Sequence, residues 1–292
     1  MANAEHLALL YQGAIDWNQW RHDYPQIKPD LSLTNLSWIN LNQFNLSYSN
    51  LSKANLSSAQ VMGANLNYAN LSGVNFMGAN LSETSLIATD LTDANLSKIT
   101  AIHTNFYQSN LIAATLNYAT LEFTNLTHTN LIAVDMQHAT LRRVDLSYAI
   151  LKRANLSLAR LFNSNLSCAN LSQANLYETE FNGSNLDRTN CSQANFQKVH
   201  LSKVSLFEID LTEANLEKAD LRWTNLAKAN LTRANLLHTN LRGANLSEAN
   251  FSYANFDHAN LRGANLSRAN LQNALIIDSD FSETNLDKTM MP

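Results

Sequence analysis

Three arginines recur at intervals of twenty residues, Arg222, Arg242 and Arg262, and Arg142, Arg143, Arg160 and Lys203 precede them with Phe123, Phe162 and Trp223 interleaved. Guanidinium groups set beside aromatic rings are the side chains with which a protein surface grips carboxylates, phosphates and the apolar parts of a partner. A second file with the same spacing, His238, His258 and Asp278, has ligand types suited to a divalent metal ion. No phosphate-cradling glycine loop, nucleophile elbow or His-Glu-x-x-His pattern occurs.

What positions these residues is a frame of five. From Leu31 a Leu or Phe returns at every fifth residue to Leu286, 52 pentads without insertion or deletion, with Val61, Ala101, Met136, Cys191 and Ile276 as the departures. The residue two before the centre is usually small, commonly Ala, Ser or Thr, the one directly before it is usually Asn or Asp, and the consensus is A-N-L-S-x. A period of five fits neither a helix nor a long flat strand, so each unit must be a short extended piece plus a corner. In the extended piece the small residue and the centre share the inward face. The Asn and the two residues after the centre are then expected to face outward or form the corner.

The stretch Leu241–Asn250 returns twenty residues later with Arg268 as its one change, which favours four sides per coil. The 52 pentads would then make 13 coils, about 60 Å long at the strand spacing of about 4.8 Å. Residues twenty apart should therefore stand directly above one another.

On that frame the arginine file has two readings. It is a partner-binding surface, or a solvated face whose charges pair with Glu122, Glu180 and Asp220. The histidine file is set aside as a metal site, because parallel outward side chains on a flat ladder converge poorly and no loop encloses them. Cys191 is an inward centre and Cys168 an outward residue, so they should not pair. Ile112, Ile132 and Ile150 form a modest apolar strip, either a docking surface or ordinary exposed aliphatics. Tyr48 and Tyr68 should stack across neighbouring strands. A catalytic site needs different groups converging on a concave pocket, and a filled, loopless rod supplies none; no enzyme activity and no cofactor are expected.

The ends differ. Leu7, Leu10, Ala14 and Trp17 fall at helical spacing, Asn3 is placed to cap the helix, Pro25 ends it, and Gly13 is a point where it could break. Such a helix would cover the open end of the stack over Leu31, with Leu7, Leu10 and Trp17 as the covering residues. At the other end, Leu275 and Ile277 sit at positions that normally face out, and two arrangements remain open: end-to-end homodimerisation through the last coil, or a fold-back of the Met-rich tail.

By its pattern the chain resembles the pentapeptide-repeat family, whose signature is Ala-(Asp/Asn)-Leu-x-x, over residues 29–289. Gly13–Arg21 is similar to the leader of many cyanobacterial members. The resemblance implies an all-β solenoid, a right-handed quadrilateral β-helix, here with a helical N-terminal cap at 1–28 and a short tail at 290–292. It implies little about activity.

Charge sorts the function classes. With 20 basic and 24 acidic residues there is no global basic footprint for nucleic acid, and no apolar run long enough to span a membrane, so a cytoplasmic protein is expected. Some family members modulate DNA gyrase by imitating duplex DNA. A 60 Å mimic would need on the order of 35 negative charges. This chain has 24 acidic residues, offset by 20 basic ones and lying on no single side. A DNA-mimicking gyrase modulator, or nucleic-acid binding through the Arg-rich face, is the alternative reading, and this charge balance does not favour either. The expected role is a non-enzymatic scaffold or regulator that docks a protein partner, the class into which family members that regulate cyanobacterial cell differentiation would fall by resemblance.

Overall fold

In the computed structural model, which describes residues 2–292, every pentad closes through the same tight turn. At Leu51, for example, the Ala54 N–H donates to the Leu51 carbonyl across the corner (3.0 Å), and the residue between them, Lys53, has φ 55°. All 52 corners share this left-handed backbone, and 46 of them are occupied by residues other than glycine. The conformation costs an L-residue roughly 1–2 kcal/mol, so the corners are held by what stacks on them rather than by local preference.

The coils stack in parallel with a register of twenty, Asn50 opposite Asn70 and Asn225 opposite Asn245. Leu51 N–H donates to the Asn70 carbonyl (2.8 Å), Lys53 N–H to Ser72 (2.9 Å), and Asn70 N–H back to Ser49 (2.9 Å). Four five-residue sides therefore make one coil, and the fold is a four-sided β-solenoid.

The chain divides into two compact units, Met1–Thr140 and Leu141–Pro292. In the first, helices α1 (Ala4–Leu10) and α2 (Ala14–Asp23) precede the coils, and two strands, β1 (Thr100–Ile102) and β2 (Thr120–Glu122), pair in parallel with Thr100 opposite Thr120. A third strand, β3 (Thr140–Arg142), begins at the last residue of that unit. The second unit contains β4 (Arg160–Phe162) and bridged coils as far as Met290, which pairs with Asn270.

Within the coils the centre residues from Leu31 to Leu271 are at most 2% exposed. At many places where Thr or Ser replaces the small Ala, its buried hydroxyl donates to the carbonyl of the centre residue one coil earlier, as Thr84 does to Val61 (2.7 Å) and Thr179 to Leu156 (2.8 Å); Thr129 and Thr224 instead donate to the preceding centre of their own coil, Leu126 and Leu221. That bond satisfies a group which would otherwise be costly to bury. The Asn that usually precedes the centre helps to form the corner, as expected, and in most coils it is half-buried rather than fully solvated: its Oδ1 accepts the N–H two residues on, as in Asn55 with Ser57 (3.2 Å), and its amide bonds the equivalent Asn one coil away, as in Asn75 to Asn55 (3.0 Å). Asn is the side chain that both closes the corner and continues the ladder.

The N-terminal helices finish the exposed edge of the first coil. Asn3 caps α1, its Oδ1 accepting from Glu5 N–H (2.8 Å), and Gly13, at φ 107°, separates α1 from α2. Trp17 is fully buried and donates through Nε1 to the Asn45 carbonyl (2.8 Å). Asn18 accepts from Asn45 N–H (2.8 Å) and donates to the Gln43 carbonyl (2.9 Å), so one side-chain amide plays the part of the peptide group a preceding coil would supply. Arg21 is 4% exposed and donates to the carbonyls of Ile27 and Ser47. Leu10 is buried and Leu7 half-buried.

Among the described residues no helix lies over the last coil. Leu275, Ile277, Leu286, Met290 and Met291 are exposed, and the tail does not fold back over them: Met290 continues the ladder, accepting from Leu271 N–H (2.7 Å) and donating to Ala269 (2.9 Å).

Candidate functional site: the basic face of residues 141–292

The corner geometry aims three positions of each pentad differently. The residue two after the centre is the most exposed, the one directly after it less so, and the one before it is half-buried. Arg142, Arg222, Arg242 and Arg262 directly follow a centre, Arg143, Lys203 and Trp223 lie two after one, and Arg160 lies one before; all are exposed. They fall on one side of the coil because their positions differ by multiples of twenty or by the width of a corner. The charge is concentrated here, residues 141–292 holding 16 of the 20 basic and 15 of the 24 acidic side chains.

The arginines are not equivalent. Arg222 grips Asp220 with two bonds, Nε to Oδ1 (2.8 Å) and Nη2 to Oδ2 (2.7 Å), and this grip holds the Asp220 carboxyl below its ordinary range. Arg262 bonds Glu283 (2.7 Å), which is likewise held low, chiefly by that bond. Arg160 stands 3.9 Å from Glu180. Arg242 and Lys203 have no acidic partner within 4 Å among the described residues. Trp223, 58% exposed, lies over Gly243: a Cβ there would come within 2.2 Å of the indole ring, so the absence of a side chain at 243 is what leaves room for the ring next to position 242.

Between the charged groups is an open depression of about 330 Å³, lined by Glu180, Asn182, His200, Ser202, Asp220 and Arg222. It exists because short Asn182 and Ser202 sit between longer neighbours. Glu180, His200 and Asp220 occupy the position directly before a centre at register twenty, and Glu180 and His200 depart there from the repeat's usual Asn or Asp, two breaks legible in the sequence.

The other sequence candidates are placed as follows. Ile112 and Ile132 are half-buried in the first unit and do not project as an exposed strip, because the position directly after a centre is partly covered by the corner; Ile150, in the second unit, is 41% exposed. Tyr48 and Tyr68 stack at 4.9 Å and 10°. Cys191 is buried, which pushes its thiol pKa far up, while Cys168 is partly exposed, and both are free.

A family model described as Pentapeptide repeats (8 copies) matches this chain in overlapping stretches from residue 30 to residue 291. Among solved structures it is similar to HetL, a pentapeptide repeat protein involved in heterocyst differentiation regulation from the cyanobacterium Nostoc sp. strain PCC 7120, at 27% identity over 94% of this chain and 96% of that one, with a TM-score of 0.42. It is also similar to Rfr23 from the cyanobacterium Cyanothece 51142, at 38% identity over 35% and 64% of the two chains, TM-score 0.28. Full-length QnrB1, a plasmid-mediated fluoroquinolone resistance protein, matches at 17% identity over 79% and 85%, TM-score 0.28. No curated protein sequence matches the chain.

Proposed function

The chain belongs to the pentapeptide-repeat family, and from that premise we propose that it is a non-enzymatic interaction scaffold or regulator whose basic face in residues 141–292 docks an acidic surface of a protein partner. The observation that carries this reading is Arg242. It has no acidic partner within 4 Å among the described residues, it stands between two arginines that do, and the exposed Trp223 lies over its neighbour Gly243. Arg and Trp are the residues on which interfaces concentrate their binding energy, and an unpaired guanidinium needs no internal ion pair broken before it engages a carboxylate.

Other readings draw less support. The depression beside Arg222 is open, and its Asp220 is already engaged, so it offers no enclosed site for catalysis. A DNA mimic needs a strongly negative surface, whereas residues 141–292 carry 16 basic and 15 acidic groups. The same near balance argues against nucleic-acid binding. Among the described residues no helix is long and apolar enough to cross a membrane, and the cytoplasm is the compartment we assign.

The test is affinity capture from native lysate with the intact protein and with an Arg222→Glu/Arg242→Glu/Arg262→Glu variant whose circular dichroism is unchanged. Loss of a partner from the variant alone supports the reading; an unchanged partner set refutes the basic face as the working surface.

A second, compatible reading concerns self-association. The uncovered last coil, with Leu275 46% and Ile277 58% exposed, favours an end-to-end homodimer. Light scattering across a concentration series should give twice the 32.5 kDa chain mass. A mass that stays monomeric at all concentrations removes this reading.

A further inference from the structure

We propose that the depression around Asn182 and Ser202 binds a small neutral polyhydroxylated molecule, a mono- or disaccharide, independently of whether the basic face docks a protein. Its volume of about 330 Å³ lies at the lower end of ligand clefts, which run from about 300 to 1,000 Å³.

The observation that carries this is a pair of unused backbone donors. In most pentads the N–H directly after a centre is bonded by the side chain directly before it, as Asp187 N–H is by Asn185 (2.9 Å), Ser192 N–H by Asn190 (3.0 Å) and Arg222 N–H by Asp220 (3.2 Å). Asn and Asp can do this because a single methylene sets their oxygen over the N–H two residues on. Glu180 has one methylene too many, and His200 has a ring in place of the oxygen. The N–H groups of Asn182 and Ser202 accordingly have no acceptor among the described residues. They belong to neighbouring coils, about 4.8 Å apart. Equatorial hydroxyls on alternate carbons of a pyranose ring stand at a similar separation and can accept from both.

The side chains around these donors offer both senses of hydrogen bond. Asn182 has an amide that donates and accepts, Ser202 a hydroxyl that does the same, and His200 two ring nitrogens. The charges cancel, because Arg160 stands 3.9 Å from Glu180 and Arg222 grips Asp220. At 3.9 Å the Glu180 carboxylate is not hydrogen-bonded, so its oxygens remain open to hydroxyl donors. An anionic ligand would face Glu180 and Asp220, and a cationic one Arg160 and Arg222. A hydroxyl carries no charge and both donates and accepts, so a set of hydroxyls matches this lining. The depression is open to solvent, so much of the ligand stays hydrated and binding should be in the millimolar range.

The experiment is a titration of the full chain, followed by backbone amide NMR, with glucose, galactose, maltose and sucrose, and separately with inorganic phosphate. The Asn182 and Ser202 amide resonances should shift saturably with at least one sugar and little with phosphate. The variant to compare is Glu180→Asn/His200→Asn, which installs at both places the residue the repeat prefers and so keeps the fold, while giving both N–H groups an acceptor within the corner. It should abolish the saturable shift. No saturable shift with any of the four sugars, sugar binding undiminished in the variant, or saturation by phosphate at a lower concentration than by any sugar overturns the proposal.

Discussion

Replacing Asn18 with alanine should unravel the first coil and little else. The side-chain amide makes two bonds to the coil edge, accepting from Asn45 N–H (2.8 Å) and donating to the Gln43 carbonyl (2.9 Å). No strand precedes that edge, so no backbone group replaces them. At about 1 kcal/mol net for each bond, the loss is about 2 kcal/mol, a factor of roughly 30 in the opening equilibrium. Helix propensity works the other way, since alanine favours α2 by a few tenths of a kcal/mol, so a net loss cannot come from the helix itself. Because solenoid coils interact chiefly with their neighbours, the damage should stay local. Hydrogen exchange is the assay: the Asn45 amide and its neighbours in residues 30–49 should exchange roughly 30-fold faster, while residues 141–292 are unchanged. Asn18→Asp should do no better than alanine, because it keeps the acceptor but turns a second oxygen toward the Gln43 carbonyl. Unaltered protection at Asn45, or a loss spread evenly along the chain, would refute the idea that this side chain substitutes for a missing peptide.

Three further outcomes follow from the same geometry. Ala133→Gly, at a corner with φ 56°, should raise stability by about 0.5–1 kcal/mol in chemical denaturation, because relief of left-handed strain exceeds the added chain entropy. Asp220 is held below the ordinary carboxylate range by Arg222, so the pair contributes stability above the unfolded pKa that is lost as pH falls through the depressed folded value. Arg222→Gln should therefore lower stability slightly at neutral pH, as expected for an exposed pair, and not at all in strong acid, measured by denaturation at both pH values. Of the two thiols, only Cys168 should react with a thiol reagent in the native state at pH 8, and both after unfolding, since burial pushes the Cys191 thiol up and closes it off.

The repeat made the solenoid legible, because fifty-two centres in one frame leave a single inward face, and the repetition of Leu241–Asn250 twenty residues on set the register. What the pattern concealed was the use of each polar position. Asn reads as a surface residue by its chemistry, yet it sits half-buried because one amide can serve the corner and the next coil together, as Asn55 does. Left-handed corners are signalled by glycine when isolated, and here only six of them carry it, since stacking rather than local preference supplies the stabilisation. The N-terminal helices were legible from Leu10 and Trp17, but not the role of Asn18 or Arg21, whose bonds depend on an edge that only the folded coil presents. In the basic face, the arginine file could be read by spacing. Which arginines are paired could not, because Arg222 reaches a residue two positions away whereas Arg262 reaches one in the following coil.

The most direct test of the basic face as a docking surface is photo-cross-linking in native lysate from benzoylphenylalanine placed at position 223, with position 253 as control. Trp223 and Tyr253 are equally exposed, at 58%, and lie half a coil apart in register. A defined protein adduct from position 223 that is missing from position 253, and that excess unmodified protein competes away, is the predicted result. No adduct from position 223, or the same adducts from both positions, would contradict it.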